Sequence, residues 1–307
     1  MIAHDPTTCS ALSLSHDEPI QGTALASTRC WLLLEYRQPW SESAYPDCDL
    51  PPEVHALLGR LESGIEGLRL QLIRHPRRET SGDLQCFVVR SAGEDPTIYR
   101  FTFEGYEALL GLDLEGLLRG DADAPQARVS GPLHLVCTHS RRDQCCALFG
   151  TALYKSMAGH EQASEGGVEL WQSSHLGGHR FAATTVVLPE GLQYGRLRQE
   201  DGPGLMAAHA RGEIYRLDRY RGLTALDAAS QAAEADLRGS LGLMEIGAVR
   251  FVGARAVGVE RQECRFEVEG EEGEVVVVME RQEMGASWRF SCAKDKTSPG
   301  VRFVRIG

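Results

Sequence analysis

Four residues in this 307-residue chain have the types and spacing for metal chemistry. Cys137 and Cys146 lie within VCTHSRRDQCC, and His175 and His179 bracket HLGGH, with His175 twenty-nine positions after Cys146. Thiolate and imidazole are soft or borderline donors that suit zinc or iron. A single buried cysteine is an ordinary small hydrophobe. Four such donors converging on one site are much harder to assign to packing, and Gly177 and Gly178 between the histidines let the backbone turn tightly beside a bulky group. Structural zinc usually takes cysteines only two to four residues apart. Here eight residues separate them, a loop long enough to wrap a larger object such as a [2Fe-2S] cluster, in which histidine can replace thiolate on one iron. Spacing alone leaves zinc and iron-sulfur both open.

The elements that must position these residues follow from the apolar patterning. LHLVCT (133–138) reads as a strand ending at Cys137, CALFGTALYKSMAG (146–159) as a helix beginning at Cys146, and VELWQSS (168–174) as a strand running into His175. TTVVLP (184–189) with QYGRL (193–197) makes a hairpin, and DGPGLMAAHARG (201–212) a closing helix. All four donors then fall at the strand-end edge where ligands collect in open α/β sheets. The preceding stretch has the same order: strand 30–36, helix 51–63, strands 68–74, 84–90 and 97–103, and a helix over 105–120 ended by Gly120. A βαβ unit followed by a hairpin and a helix is how a thioredoxin-like domain is built.

The expected organisation is α/β. A polar N-terminal segment, 1–26, precedes a thioredoxin-like α/β half, 27–125, and a linker over 121–132 leads to a thioredoxin-like domain with a mixed sheet, 131–215. The tail, 216–307, reads as an alanine-rich helix (224–240) and short alternating strands forming a small antiparallel sheet, with nothing in it resembling a catalytic site.

A net charge of −11 argues against a nucleic-acid binder, since neutralising phosphates needs a basic face. No apolar run reaches the roughly 20 residues of a membrane span, and the N-terminus has no secretory pattern, so a cytoplasmic protein is expected. Nine scattered cysteines do not form a disulfide framework.

VCTHSRRDQCC and WQSSHLGGHRFAATTVVLPEGLQYGRL resemble the sucrase/ferredoxin-like family, whose pattern is Cys-x8-Cys followed by His-x-Gly-Gly-His. The resemblance spans about residues 131–200 and extends weakly to WLLLEYRQPW (31–40). It implies a thioredoxin-like ferredoxin with a bis-histidinyl [2Fe-2S] cluster on Cys137, Cys146, His175 and His179. By analogy with all-cysteine relatives, Cys137 and Cys146 would hold one iron and the two histidines the other. Neutral imidazoles in place of two thiolates would lift the potential above the roughly −400 mV of plant-type ferredoxins, and an exposed imidazole nitrogen would make it pH-dependent. The word sucrase carries no glycosidase with it, because no carboxylate pair stands in an interpretable context.

Among the neighbours, Cys145 is expected to point away from Cys146, His139 to be a solvated loop histidine, and Asp143 to cap the following helix. Arg141, Arg142 and Arg180 read as surface arginines that could also screen cluster charge, and Trp171 as core. Cys9, Cys30, Cys48, Cys86, Cys264 and Cys292 read as structural or incidental. Three functions follow: an electron carrier or redox sensor served by partners such as a flavoprotein reductase, a thiol redox protein, or a structural zinc scaffold. The absence of any C-x-x-C motif weighs against the second.

Overall fold

The computed structural model describes residues 5–76, 82–93, 95–163 and 169–307. Met1–His4 of the expected polar segment and Val168 of the expected strand lie outside these residues. The segment is not featureless. It forms helix α1, Cys9–Ser15, whose first turn is capped by Thr8 accepting the Ala11 N–H, and which buries Cys9, Ser10 and Ser13.

The first half contains β1 (Cys30–Glu35), α2 (Pro52–Gly64), β2 (Leu68–Arg74), β3 (Leu84–Arg90) and β4 (Thr97–Phe103). β1 pairs parallel with β2 and antiparallel with β3, and β3 pairs antiparallel with β4. Every residue of CWLLLE in β1 is buried, as expected for a strand covered on both faces. The helix expected over 105–120 is split. A 3₁₀ turn covers Tyr106–Gly111, and α3 (Leu114–Arg119) restarts because the Asp113 side chain accepts the Gly116 N–H at 2.9 Å and caps a new helix. Gly120 ends α3 with φ of +86°, a left-handed C-cap.

After the short β5 (Arg128–Val129), the second half repeats the order: β6 (Leu133–Cys137), α4 (Gln144–Ala163), β7 (Glu169–Ser173), β8 (Thr185–Leu188), β9 (Leu192–Tyr194) and α5 (Gly202–Ala210). β6 pairs parallel with β7 and antiparallel with β8, which pairs with β9. In both halves the sheet order is second, first, third, fourth strand, the thioredoxin-like arrangement. The halves join edge to edge through β2 and β7, antiparallel at Ile73–Ser173 and Arg74–Gln172. A further strand that the sequence pattern did not show, β10 (Tyr220–Leu223), extends the far edge, giving ten strands in one sheet.

Three cores flank this sheet. One packs under α2 and α3, and another under α4 and α5. The third is shared, with Trp31, Leu33 and Phe87 from the first half meeting Leu133, Leu135 and Val186 from the second. Each such buried side chain contributes about 2–3 kcal/mol, so this core ties the halves together. Cys137, Cys146 and Leu176 belong to it, which places the sulfur donors at the seam.

The tail carries α6 (Ala228–Leu241) on a four-stranded antiparallel sheet of β11 (Val249–Ala256), β12 (Arg261–Val268), β13 (Glu274–Arg289) and β14 (Thr297–Arg305). The separate strands expected at 274–281 and 287–292 are largely one long strand whose register shifts between Glu283 and Ser287, where Gly285 has φ of +73°.

Candidate metal centre

Cys137 is the last residue of β6, and its N–H donates to the Thr184 carbonyl at 3.0 Å. The chain then loops to Asp143, whose Oδ1 accepts the Cys145 N–H at 2.9 Å and caps α4. Cys146 therefore stands in the first turn, where the helix dipole favours a thiolate. α4 lies close against the strand end: a Cβ on Gly150 would sit 1.9 Å from the Cys137 carbonyl oxygen. Only glycine permits this approach, which sets the two sulfurs side by side.

The histidine loop is fastened by hydrogen bonds from both halves. The Ser174 N–H donates to the Leu72 carbonyl at 2.9 Å, and the Arg69 guanidinium donates to the His175 carbonyl at 2.7 Å. Buried Gln193 donates to the Leu176 carbonyl at 2.9 Å, and buried Arg221 to that of Gly177 at 3.1 Å. Gly177 and Gly178 have φ of +77° and +67°, a left-handed pair that turns the chain back on itself. The rings of His175 and His179 consequently stack, centroids 5.0 Å apart at 26°.

The structure brings three of the four predicted donors into one group. His175 Nδ1 lies 3.9 Å from Cys137 Sγ and 3.7 Å from Cys146 Sγ, and the three donor atoms all fall within 4.8 Å of one another. His179 stands beside the group. Its Nε2 is 3.9 Å from Asp143 Oδ2, and its Nδ1 is buried without a hydrogen-bond partner. Burial pulls the His179 imidazole down to about 4 despite the raising pull of Asp143, keeping it neutral and able to bind a metal near pH 7. A hydrogen bond from the Cys146 thiol, aided by His175, holds Cys137 well below the ordinary thiol range, while the same hydrogen bond and burial push Cys146 up. Cys137 is thus the readier thiolate of the two, and binding a metal would require both sulfurs as thiolates. This donor set, with an orphaned imidazole nitrogen at its side, fits a thiophilic metal group.

Cys145 does point away from Cys146: its Sγ lies 3.7 Å from Cys9 Sγ and 3.5 Å from Cys292 Sγ. Cys9 and Cys292, read from the sequence as structural or incidental, both stand beside Cys145, so the tail does reach this loop. Together with Asp143 they form a second donor group, buried except for half-buried Cys292, which no local spacing announces because the residues come from remote segments. Cys30, Cys48, Cys86 and Cys264 are core residues, as is Trp171.

His139 is not solvated. It is 1 % exposed, its Nε2 is 2.7 Å from the Ser41 carbonyl, and its backbone N–H is directed at Cys137. Asp143 does more than cap, since its Oδ2 also accepts the Cys292 N–H at 2.9 Å. Arg180 is held rather than free, paired with Glu18 at 2.8 Å and stacked 3.9 Å from the Phe290 ring centroid. Arg141 is exposed, and Arg142 lies 3.8 Å from Glu42. Arg69 and Arg221 were missed. Neither stands in a motif, and only the fold carries them to the histidine loop.

No helix among the described residues is long and apolar enough to cross a membrane. The profile of the sucrase/ferredoxin-like family matches residues 25–222. Altered inheritance of mitochondria protein 32 from Meyerozyma guilliermondii is 31 % identical over 100 residues, 31 % of this chain and 35 % of that protein, so the chain spans about a third of that relative's length. The thioredoxin-like [2Fe-2S] ferredoxin from Aquifex aeolicus is similar at 16 % identity over 27 % of this chain and 84 % of its own, TM-score 0.25. A cysteine-to-serine variant of it gives 17 % identity, 26 % and 88 % coverage, and the same TM-score of 0.25.

Proposed function

Since this chain belongs to the sucrase/ferredoxin-like family, we propose that it is an electron-transfer protein holding a [2Fe-2S] cluster on Cys137, Cys146, His175 and His179. The observation that carries the reading is the meeting of two buried sulfurs with His175 Nδ1, beside a stacked His179 whose own Nδ1 is buried and unpartnered. Each sequence-near pair would hold one iron: the cysteines at the strand end and helix start, the histidines on their glycine turn. The bound cluster supplies one-electron chemistry.

The protein's part is electrostatic and positional. Two neutral imidazoles, the α4 N-terminus and the Arg69 guanidinium within Coulombic reach of Cys137 all favour an added electron, placing the potential above the roughly −400 mV of plant-type ferredoxins. His175 is half-buried and lines an open cleft of about 500 Å³ with Arg69, His139 and Arg142, so its imidazole is the group a redox partner meets. A proton at its outer nitrogen would then move with the electron. The proposed donor is a flavoprotein reductase, and the proposed compartment the cytoplasm.

A second reading is a single zinc on Cys137, Cys146 and His175, which the 4.8 Å span of these donors admits. The test is an absorption and EPR spectrum of anaerobically purified protein, before and after dithionite, with iron, sulfide and zinc measured on the same sample. A red-brown protein with about two irons and two sulfides per chain and a Rieske-like reduced signal is expected. A colourless protein that binds zinc there and takes up no iron on anaerobic reconstitution overturns the reading.

A further inference from the structure

Cys9 from α1, Cys145 from the start of α4 and Cys292 from the loop after β13 converge beside Asp143. The three sulfurs are mutually 3.7, 3.5 and 3.4 Å apart, and Cys9 Sγ lies 3.8 and 3.9 Å from the two Asp143 oxygens. A zinc–sulfur bond of about 2.3 Å sets tetrahedral sulfur–sulfur edges of about 3.8 Å, close to this triangle. A disulfide, at about 2.05 Å, could join only two of the three sulfurs and would leave the third unexplained.

Packing alone does not account for the group, because it contains a carboxylate. Asp143 is 3 % exposed, beside Cys9 and Cys145 at 1 % each. Its Oδ1 accepts the Cys145 N–H, and its Oδ2 accepts the Cys292 N–H at 2.9 Å and the Ser291 hydroxyl at 3.2 Å. On the sulfur side the group facing the carboxylate is the Cys9 thiol, 3.8 Å from Oδ1 and 3.9 Å from Oδ2, whose proton a metal ion would replace. The sulfurs have outer partners of the kind that metal-bound thiolates take: the Cys9 N–H donates to Cys292 Sγ at 3.2 Å, and the Ser10 hydroxyl is 3.3 Å from Cys145 Sγ.

We propose that Cys9, Cys145, Cys292 and Asp143 form a second metal site, a structural Cys₃Asp centre for Zn²⁺, distinct from the cysteine-histidine site. The ion would staple the N-terminal helix and the C-terminal sheet onto the loop that starts α4. The N-terminal segment and the end of the long strand already meet beside it: Arg180 of the histidine loop joins Glu18 to Phe290, and His16 stacks on Trp288 with centroids 4.6 Å apart. Metal binding that bridges segments so remote adds directly to folding stability.

The site does not depend on what the first group holds. Metal analysis of protein purified under reducing conditions without chelator is expected to find about one zinc per chain in addition to whatever metal, iron or zinc, the cysteine-histidine site holds. Cys137→Ser should lose iron and keep that zinc. Cys9→Ser and Cys292→Ser should lose zinc and keep iron. Independently of any variant's folding, zinc K-edge absorption of the unmodified protein should fit three sulfurs and one light atom. No zinc bound even after Zn²⁺ is added, a Cys9, Cys145 or Cys292 disulfide in the native protein, or zinc that disappears with Cys137→Ser and persists in Cys9→Ser overturns the proposal.

Discussion

Asp143 Oδ2 lies 3.9 Å from His179 Nε2, the outer nitrogen of a proposed ligand whose inner nitrogen has no partner. The same carboxylate caps α4 and receives the Cys292 N–H, so one buried side chain touches the histidine loop, the cysteine helix and the tail. Its negative charge beside a ligand stabilises the oxidised state of whatever redox group the ligands hold. In protein prepared free of zinc, where this carboxylate keeps its full charge, Asp143→Asn should therefore raise the potential, by about 50 mV for a partly screened unit charge at a few ångströms. Protein-film voltammetry of wild type and variant reads this, and an unchanged or lower potential would show that Asp143 does not feel the redox group.

Exchanging an imidazole for a thiolate works in the opposite direction. His175→Cys and His179→Cys should each keep an iron-sulfur chromophore while adding one negative charge, lowering the potential on the order of 100 mV, in line with the gap between Rieske-type and all-cysteine centres. Colour retained with an unshifted potential in both variants would mean that neither histidine ligates iron.

Gly150 offers a test of how the sulfurs are placed. A methyl group there would meet the Cys137 carbonyl oxygen at 1.9 Å, too close for any relaxation of a side chain to relieve, since the obstacle is backbone. Gly150→Ala should push α4 away from β6, cost about 1–3 kcal/mol as overpacking, and lower metal content at the cysteine-histidine site. Thermal unfolding and iron per chain check both. Wild-type values for both would show that the close approach is not what aligns Cys137 with Cys146.

Much of this was legible in the chain because the signals were local. The apolar runs of β1 and β6, the Gly120 stop and the Cys-x8-Cys and His-x-Gly-Gly-His spacings each lie within a few residues of what they determine. What was not legible is long-range. Cys9 and Cys292 are 283 positions apart and meet only because α1 and the end of β13 fold over the same loop. β10 went unseen because YRGL (220–223) is four residues long with a glycine inside, too short for a period, and with it went Arg221. The helix over 105–120 was overrun because its apolar periodicity continues through Asp113, whose capping hydrogen bond outweighs the pattern.

A final prediction concerns acid stability, away from either proposed metal site. His209 in α5 is 6 % exposed, its Nε2 is 3.0 Å from the Tyr194 hydroxyl, and its ring meets that of His134 edge-on at 5.7 Å. Burial pulls His209 down to about 4, and burial with His209 beside it holds His134 well below its usual value. Unfolded, both return to about 6.5. Between these values the unfolded chain binds protons that the native protein refuses, so stability is complete above about pH 6.5 and is lost as the pH falls toward 4. For His209 alone the loss by pH 5 is about 2 kcal/mol. Urea unfolding at pH 7.5 and 5.0 should show that His209→Gln, which can keep the hydrogen bond to Tyr194, loses about 2 kcal/mol less than wild type on acidification, with the metal-site histidines common to both proteins and cancelling in the difference. Equal losses would mean that His209 takes up its proton without unfolding the protein, and that its burial does not hold it neutral.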